Sequence, residues 1–187
     1  LLLAILQSCI LVSIKNEGMF ILTILIISLL ITNLSQLKAL FIKLWIFVIP
    51  YLFWLIWKLC CQYFQVDNDI EKGLLVGDNF VNNIYNILND RLSFQNISLI
   101  SQNLFFFKFY LFGVIAIGIA IKNKFIHWGK LDAYLLTFIC IYLIFLFSIY
   151  LITPHDLSWH LGSTNRTSLP IQLASFFLFL NALKTNK

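Results

Sequence analysis

The feature that most constrains the fold is an apolar run over residues 133–152, which contains no charged side chain. A helix that crosses the hydrocarbon layer of a bilayer needs about 20 mostly apolar residues, and this run has that length. Similar runs recur, so that 60% of the 187 residues are hydrophobic and only 11% are charged. Because soluble domains carry about 25% charged residues, we expect a polytopic membrane protein rather than a water-soluble globule.

Six segments are predicted to cross the membrane as helices. They are residues 1–14, 19–37, 39–61 with Pro50 near the middle, 104–121, 133–152 and about 169–183. The predicted fold class is therefore all-α, a polytopic transmembrane helix bundle that forms a single domain over residues 1–187. Because Leu1 already lies inside an apolar run, we expect the chain to be the C-terminal part of a longer protein.

The distribution of lysines predicts the orientation of the bundle. Cytoplasmic loops carry the excess of Lys and Arg, and the short loops on one side of the predicted bundle hold most of the lysines. These are Lys38, Lys43, Lys122, Lys124, Lys130, Lys184 and Lys187. We therefore expect an inner or plasma membrane protein with a cytoplasmic C-terminus and with residues 62–103 and 153–168 on the outer face. The net charge of +5 is spread singly between apolar runs, so no nucleic-acid partner is expected.

An amphipathic helix with an apolar stripe is predicted in the long outer connection, directly after Asp78, which is a suitable N-cap. The stripe consists of Phe80, Val81, Ile84, Tyr85, Leu88 and Leu92, and asparagines fill the opposite side. Two interpretations are open. The helix lies in the membrane interface as a platform beside a lipid-borne substrate, or it simply covers the bundle.

A second outer segment, residues 153–168, concentrates polar side chains between two apolar runs. Thr153, Pro154 and Asp156 are in the order that favours a helix start, and Gly162 favours its end. We expect a short helix over residues 154–161, on which Asp156 and His160 share a face, so that Asp156 can orient His160. Capping alone would also explain Asp156.

Arg166 follows in the same segment, on the predicted outer and acidic side, where topology gives no reason for a cation. An arginine binds oxyanions through two parallel hydrogen bonds, which makes a phosphate its natural partner. The candidate substrate-binding residues are Arg166, His160, His155 and Trp159. The two histidines could equally be interfacial residues without a chemical role.

Other chemistry in this segment is less well supported. His155, Asp156 and His160 are suitable zinc ligands by residue type, but no fourth ligand with helical spacing follows, so neither a metal nor a cofactor is expected. Ser158 and Ser163 lack the glycine pattern of a hydrolase nucleophile elbow.

The segment resembles the C-terminal region of bacterial polytopic glycosyltransferases of the GT-C type, akin to dolichyl-phosphate-mannose protein mannosyltransferases and lipid A aminoarabinose transferases. The matching residues are His155, Asp156, Leu157, Trp159, His160, Leu161 and Arg166. The resemblance implies transfer of a sugar from a polyprenyl-phosphate carrier to an acceptor on the outer face. It implies that Arg166 binds the lipid phosphate, that His155, Asp156 and His160 shape the pocket, and that an acidic catalytic base lies upstream of Leu1. The chain would then lack its base, and Asp156 is only a weak alternative.

A non-enzymatic membrane protein, such as half of a transporter or an assembly subunit, is the competing hypothesis. Transporters place ionisable residues near the bilayer midplane on interrupted spans. In this chain the interiors of the predicted spans are nearly free of charge and the polar cluster lies outside them, which favours the enzyme.

Overall fold

A computed structural model of the chain describes residues 2–14, 16–38, 44–65, 80–104, 110–122, 129–152 and 156–184. Within these ranges every regular element is helical and there is no strand, which confirms the all-α prediction for this part of the chain. The chain divides into two compact units, Leu1–Asp67 and Asn68–Lys187.

The first unit contains three α-helices and two short 3-10 helices in its described part. They are α1 (Leu2–Ile14), α2 (Asn16–Thr32), the 3-10 helices Leu34–Gln36 and Trp45–Phe47, and α3 (Val48–Tyr63). Helix α1 packs against both α2 and α3. The Thr23 hydroxyl of α2 and the Tyr51 hydroxyl of α3 share a hydrogen bond of 2.9 Å, which joins the two helices.

The second unit is organised around its longest helix, α7. Its helices are α4 (Phe80–Arg91), α5 (Phe94–Leu104), α6 (Leu111–Lys122), α7 (Lys130–Ile152), α8 (Leu157–Gly162), α9 (Thr164–Thr167) and α10 (Leu169–Lys184). Helices α4, α5, α8 and α10 all contact α7, and α10 also packs along α6. The elements that carry the candidate site are therefore held by α7.

Two of the described helices are long and apolar enough to cross a membrane. They are Trp45–Tyr63, with 19 residues and a mean hydropathy of 1.5, and Lys130–Ile152, with 23 residues and a mean hydropathy of 2.7. The second corresponds to the span predicted over residues 133–152. Apolar helices over Gly18–Thr32, Leu111–Lys122 and Leu169–Leu183 are shorter. The six-span bundle predicted from the sequence is thus supported only for two spans, by length and composition.

The predicted fourth span, residues 104–121, does not form a single helix. Leu104 is the last residue of α5, and α6 begins at Leu111 and has only 12 residues. At 1.5 Å per residue α6 is about 18 Å long, well short of a hydrocarbon layer of about 30 Å. Ile100 and Leu104 are fully buried on α5, so the apolar side chain of Leu104 completes the buried face of a helix that the sequence analysis did not predict.

Pro50, expected near the middle of a span, lies in the first turn of α3, directly after the 3-10 helix Trp45–Phe47. Because the 3-10 helix runs directly into α3, Pro50 is the sixth residue of the continuous helix Trp45–Tyr63, and the hydrogen bond that a proline lacks is lost near its start. Residues 39–43, with which the predicted span begins, lie outside the described part.

Helix α10 is apolar on its exposed side as well as on its buried side, where Ile171, Ala174 and Leu178 lie. Its exposed large side chains are apolar: Leu169, Leu173, Phe176, Phe177, Leu180 and Leu183. The hydroxyl of Ser175, by contrast, is buried against Gly113 of α6. A lipid environment accommodates such an apolar exterior, whereas water would penalise it in proportion to its area.

The amphipathic helix predicted after Asp78 exists as α4, and its packing favours the interpretation of a covering helix. Ile84, Ile87 and Leu88 are half-buried, and α4 contacts α7. Tyr85 was assigned to the apolar stripe, but it is 67% exposed and lies with the exposed asparagines. Leu92, also part of the predicted stripe, follows α4 and is 55% exposed. Of the stripe residues with described side chains, Ile84 and Leu88 are thus the ones used for packing within the chain. Asp78 lies outside the described residues.

A substitution at Gly18 tests the packing of α1 on α2. A Cβ atom on Gly18 would lie 1.9 Å from the backbone oxygen of Leu11, and backbone atoms cannot move aside cheaply. We expect Gly18→Ala to lower the free energy of unfolding by about 1–3 kcal/mol or more, the usual cost of overpacking.

The matched control is Gly118→Ala in α6, where a Cβ would meet nothing within 4 Å. Because alanine favours a helix over glycine by about 1 kcal/mol, this variant should be unchanged or slightly more stable. Thermal unfolding of both variants in the same detergent, followed by circular dichroism, makes the comparison. Equal melting temperatures would contradict the close approach at Gly18.

Candidate functional site

The polar segment forms a corner of two short helices, α8 and α9, before α10 begins. We refer to residues 157–167 as the corner. Helix α9 is a single turn, in which the Thr167 N–H donates to the Ser163 carbonyl at 3.1 Å and the Ser168 N–H donates to the Thr164 carbonyl at 2.9 Å. Isolated helices of this length are unstable in water, so the corner depends on contacts with its neighbours.

Two buried tyrosines of α7 supply those contacts. The Tyr142 hydroxyl donates to the backbone carbonyl of Thr167 at 3.0 Å. The Tyr150 hydroxyl lies 3.1 Å from the Thr167 hydroxyl and 3.4 Å from the Thr164 hydroxyl. Tyr150 is only 1% exposed, so these bonds are shielded from competing water. Helix α9 is thereby fixed to α7 at both of its ends.

Further hydrogen bonds continue from the corner into α10. The Thr164 hydroxyl donates to the Leu161 carbonyl at 2.6 Å, which joins α9 to the end of α8. The Ser168 hydroxyl donates to the Asn165 carbonyl at 3.2 Å, and the Gln172 amide donates to the Ser168 hydroxyl at 3.0 Å. Because Thr164 and Ser168 are buried, these bonds satisfy polar groups that would otherwise be costly.

Arg166 lies on the opposite side of α9 from these threonines. Its side chain is exposed, as is that of Asn165. Among the side chains that the structure describes, no carboxylate forms an ion pair with it. The guanidinium is therefore carried on a helix with a fixed position and remains accessible to an anion from solution or from a membrane surface.

Asp156 directly precedes α8, which begins at Leu157 and not at Pro154 as the sequence analysis expected. This is the N-cap position, for which Asp and Thr are both suitable, so the helix can begin after either residue. The Ser158 hydroxyl donates to the Asp156 carboxylate. Asp156 is exposed, and its position directly before α8 is consistent with a residue that starts the helix. Residues 153–155 lie outside the described part.

The other predicted site residues, His155, Trp159 and His160, have no described side-chain contacts. His155 is outside the described residues, and Trp159 and His160 lie within α8 without described side chains. The predicted pairing of Asp156 with His160 and the substrate-binding roles of His155, Trp159 and His160 remain predictions.

The roles of Tyr142 and Tyr150 in holding α9 were not predicted from the sequence, although the spacing of the apolar residues in α7 contains a signal. Phe138, Tyr142, Leu146 and Tyr150 recur every four residues, which places them on one face of a helix, and all four are buried in α7. Two tyrosines within such a stripe indicate a buried face that receives polar partners from a neighbouring element.

Arg91 was also not predicted from the sequence as a candidate site residue. Arg91 and Arg166 are the only arginines in the chain, and both lie in segments predicted to face outward. Arg91 ends α4 and is 8% exposed, so its charge is largely removed from solvent. Its position on a helix that packs against α7 makes it part of the same unit as the corner.

A second polar contact lies at the other end of the α7 and α10 pair. Asp132, in the first turn of α7, is 4% exposed and accepts a hydrogen bond of 2.7 Å from the Asn181 amide. Its second oxygen accepts the Gly129 N–H at 2.9 Å. A rise of 1.5 Å per residue places Asp132 and Tyr150 about 27 Å apart along α7, close to the hydrocarbon thickness of about 30 Å.

Comparison of the chain with protein-family models, with curated proteins and with solved structures gave no match.

Two substitutions at Asp156 test whether it acts as a helix cap. Asp156→Ala removes the cap and should lower the free energy of unfolding by about 1 kcal/mol. Asp156→Asn should change it little, because asparagine caps as well as aspartate does. Thermal unfolding of the two variants in detergent makes the comparison. An equal loss of stability in both would show that the charge of Asp156, and not its capping, is what matters.

Proposed function

We propose that this chain belongs to a membrane glycosyltransferase that transfers a sugar from a polyprenyl-phosphate donor to an acceptor on the outer face, with Arg166 as the ligand of the donor phosphate. The proposal rests on the residues of the corner and their resemblance to the GT-C enzymes. It is supported by the apolar exteriors of the long helices, which suit a site used by a lipid-borne substrate.

The observation that carries the proposal is the placement of Arg166. An exposed arginine on a flexible loop would be an ordinary surface residue. Here the helix that bears it is held by Tyr142 and Tyr150, both fully buried in α7. Because the backbone of α9 is held, the position from which the Arg166 side chain extends is fixed before an oxyanion binds, and only the side chain itself has to be ordered.

In the proposed reaction, the role of Arg166 is to stabilise negative charge on the leaving phosphate. In the proposed transfer, the bond between the sugar's anomeric carbon and a phosphate oxygen breaks, and the acceptor oxygen forms the new bond to that carbon. Negative charge then grows on the departing lipid phosphate, and a guanidinium that donates two hydrogen bonds to it stabilises this charge. The acceptor's proton must pass to a base, which we do not assign within the described residues.

The location of the corner is part of the proposal. The lysine distribution supports a cytoplasmic C-terminus and a corner on the outer face of an inner or plasma membrane. The spacing of about 27 Å between Asp132 and Tyr150 supports the same arrangement, since it would put the two polar contacts near the two surfaces of the hydrocarbon layer.

Half of a transporter or an assembly subunit is the alternative. A transported ion would need ionisable groups that are open to it within the spans. Of the described side chains, Asp132 is the buried carboxylate, and both of its oxygens already accept hydrogen bonds, from Asn181 and from Gly129. Asp132 is thus accounted for as a tie between α7 and α10, which favours the enzyme.

Substitution of Arg166 tests the proposal. The full-length protein in lipid nanodiscs would be titrated with a short-chain polyprenyl phosphate, and sugar transfer from the corresponding donor would be assayed in parallel. Arg166→Ala should lower the affinity about 10- to 100-fold, the effect of losing hydrogen bonds to a charged group, and Arg166→Lys should restore part of it. Transfer should fall with affinity.

The matched control is Lys130→Ala, which removes another exposed cation from the opposite end of the α7 and α10 pair. It should leave affinity and transfer unchanged. If Arg166→Ala binds the phosphate lipid as tightly as the unaltered protein, or if the unaltered protein does not bind it, the proposed function is wrong and a non-enzymatic role is favoured.

A further inference from the structure

We infer that Tyr150 is the positioning residue for Arg166, so that its buried hydroxyl sets the affinity of the corner for a lipid phosphate. This inference rests on the proposed function and assigns part of it to the last residue of the apolar stripe of α7. Tyr150 does not touch the phosphate in this account. It acts through Thr164 and Thr167, the two residues that begin and end α9.

The hydrogen bonds around Tyr150 can be assigned so that every hydroxyl donates once. The Thr164 hydroxyl is committed to the Leu161 carbonyl, since that contact is only 2.6 Å. Tyr150 can then donate to either threonine oxygen, at 3.4 Å to Thr164 or at 3.1 Å to Thr167. Where it donates to Thr164 and accepts from Thr167, a continuous chain runs from Thr167 through Tyr150 to the end of α8, with Tyr150 as its central link.

The geometry of α9 explains why this link matters for Arg166. Residues three apart on a helix share a face, so Thr164 and Thr167 face Tyr150 together. Arg166, one residue before Thr167, points away from that face and is exposed. With a single turn between the two threonines, the position and direction of the Arg166 Cα–Cβ bond are set by how firmly both are held.

Removal of the Tyr150 hydroxyl should loosen the corner without unfolding the chain. In Tyr150→Phe the ring still fills its place in the stripe. Thr164 keeps its bond to the Leu161 carbonyl, and Thr167 can donate to the Ser163 and Thr164 carbonyls, each at 3.4 Å. No buried hydroxyl is left without an acceptor, which is the usual reason why such a substitution is severely destabilising.

The experiment measures binding of two lipids by the full-length protein in nanodiscs, a short-chain polyprenyl phosphate and the matching polyprenol without phosphate. Tyr150→Phe removes both threonine contacts, so it should weaken binding of the phosphate lipid about five- to tenfold and leave polyprenol binding unchanged. A purely structural loss would weaken both. Ser148→Ala is the control, because the Ser148 hydroxyl bonds only within α7, to the Ile144 carbonyl, and is exposed.

A second measurement keeps this inference separate from the proposed function. A spin label at Asn165→Cys, with the four native cysteines replaced by alanine, reports the mobility of α9 while Arg166 stays in place. The label should be restricted in the parent protein and more mobile in Tyr150→Phe, whatever lipid binds.

Three results distinguish the inference from the proposed function. If Arg166→Ala loses phosphate binding but Tyr150→Phe binds as the parent does, the role of Tyr150 is refuted and the proposed function stands. If the parent does not bind the phosphate lipid, the proposed function fails, and Tyr150 retains only its part in holding α9. An unchanged spin-label spectrum in Tyr150→Phe refutes the inference in either case.

Discussion

The second unit depends on a single constraint: a helix pair whose outer surface is apolar must satisfy its polar groups on the inside. In lipid, no water is available to hydrogen-bond an unpaired backbone or side-chain group, so each such group needs a partner within the chain. Helices α7 and α10 follow this rule at both ends, through Asp132 with Asn181 and through Tyr150 with the threonines of α9. Among the described residues of these two helices, the buried Ser175 hydroxyl of α10 is the exception, since it has no hydrogen-bond partner. Leu173 and Phe177 meanwhile remain exposed on the outer side.

The candidate site follows from the same constraint. The buried tyrosine hydroxyls need acceptors and donors, and the corner supplies them from its inner face. Once that face is used for packing on α7, the outer face of α9 is left with Asn165 and Arg166. A cation is thereby displayed at a fixed place next to an apolar surface. In the proposed function, the phosphate head group of the donor lipid binds Arg166 and the apolar chain of the lipid lies against the apolar surface.

The sequence predicted the helices α7 and α10 well, because long runs without charge are decisive for apolar helices. It also identified Arg166 as a candidate, because topology did not explain a lone cation in the predicted outer segment. Helix α5 was not predicted, although Ile97, Ile100 and Leu104 recur at helical spacing, because Leu104 also begins the apolar run assigned to the fourth span. The start of α8 was misplaced because Thr153 and Asp156 are both good caps. Tyr142 and Tyr150 were overlooked, since hydropathy does not distinguish a lipid-facing tyrosine from one bonded to a neighbouring helix.

The central claim is that α7 crosses the bilayer and holds the corner at its surface. It is tested most directly by the depth of two spin labels in lipid vesicles. One replaces Ile144, which is 67% exposed within α7, and the other replaces Gly162, whose added side chain meets nothing within 4 Å. We predict that the label at 144 is accessible to oxygen but not to an aqueous nickel chelate, and that the label at 162 is accessible to the chelate. Equal access of the chelate to both would contradict the account.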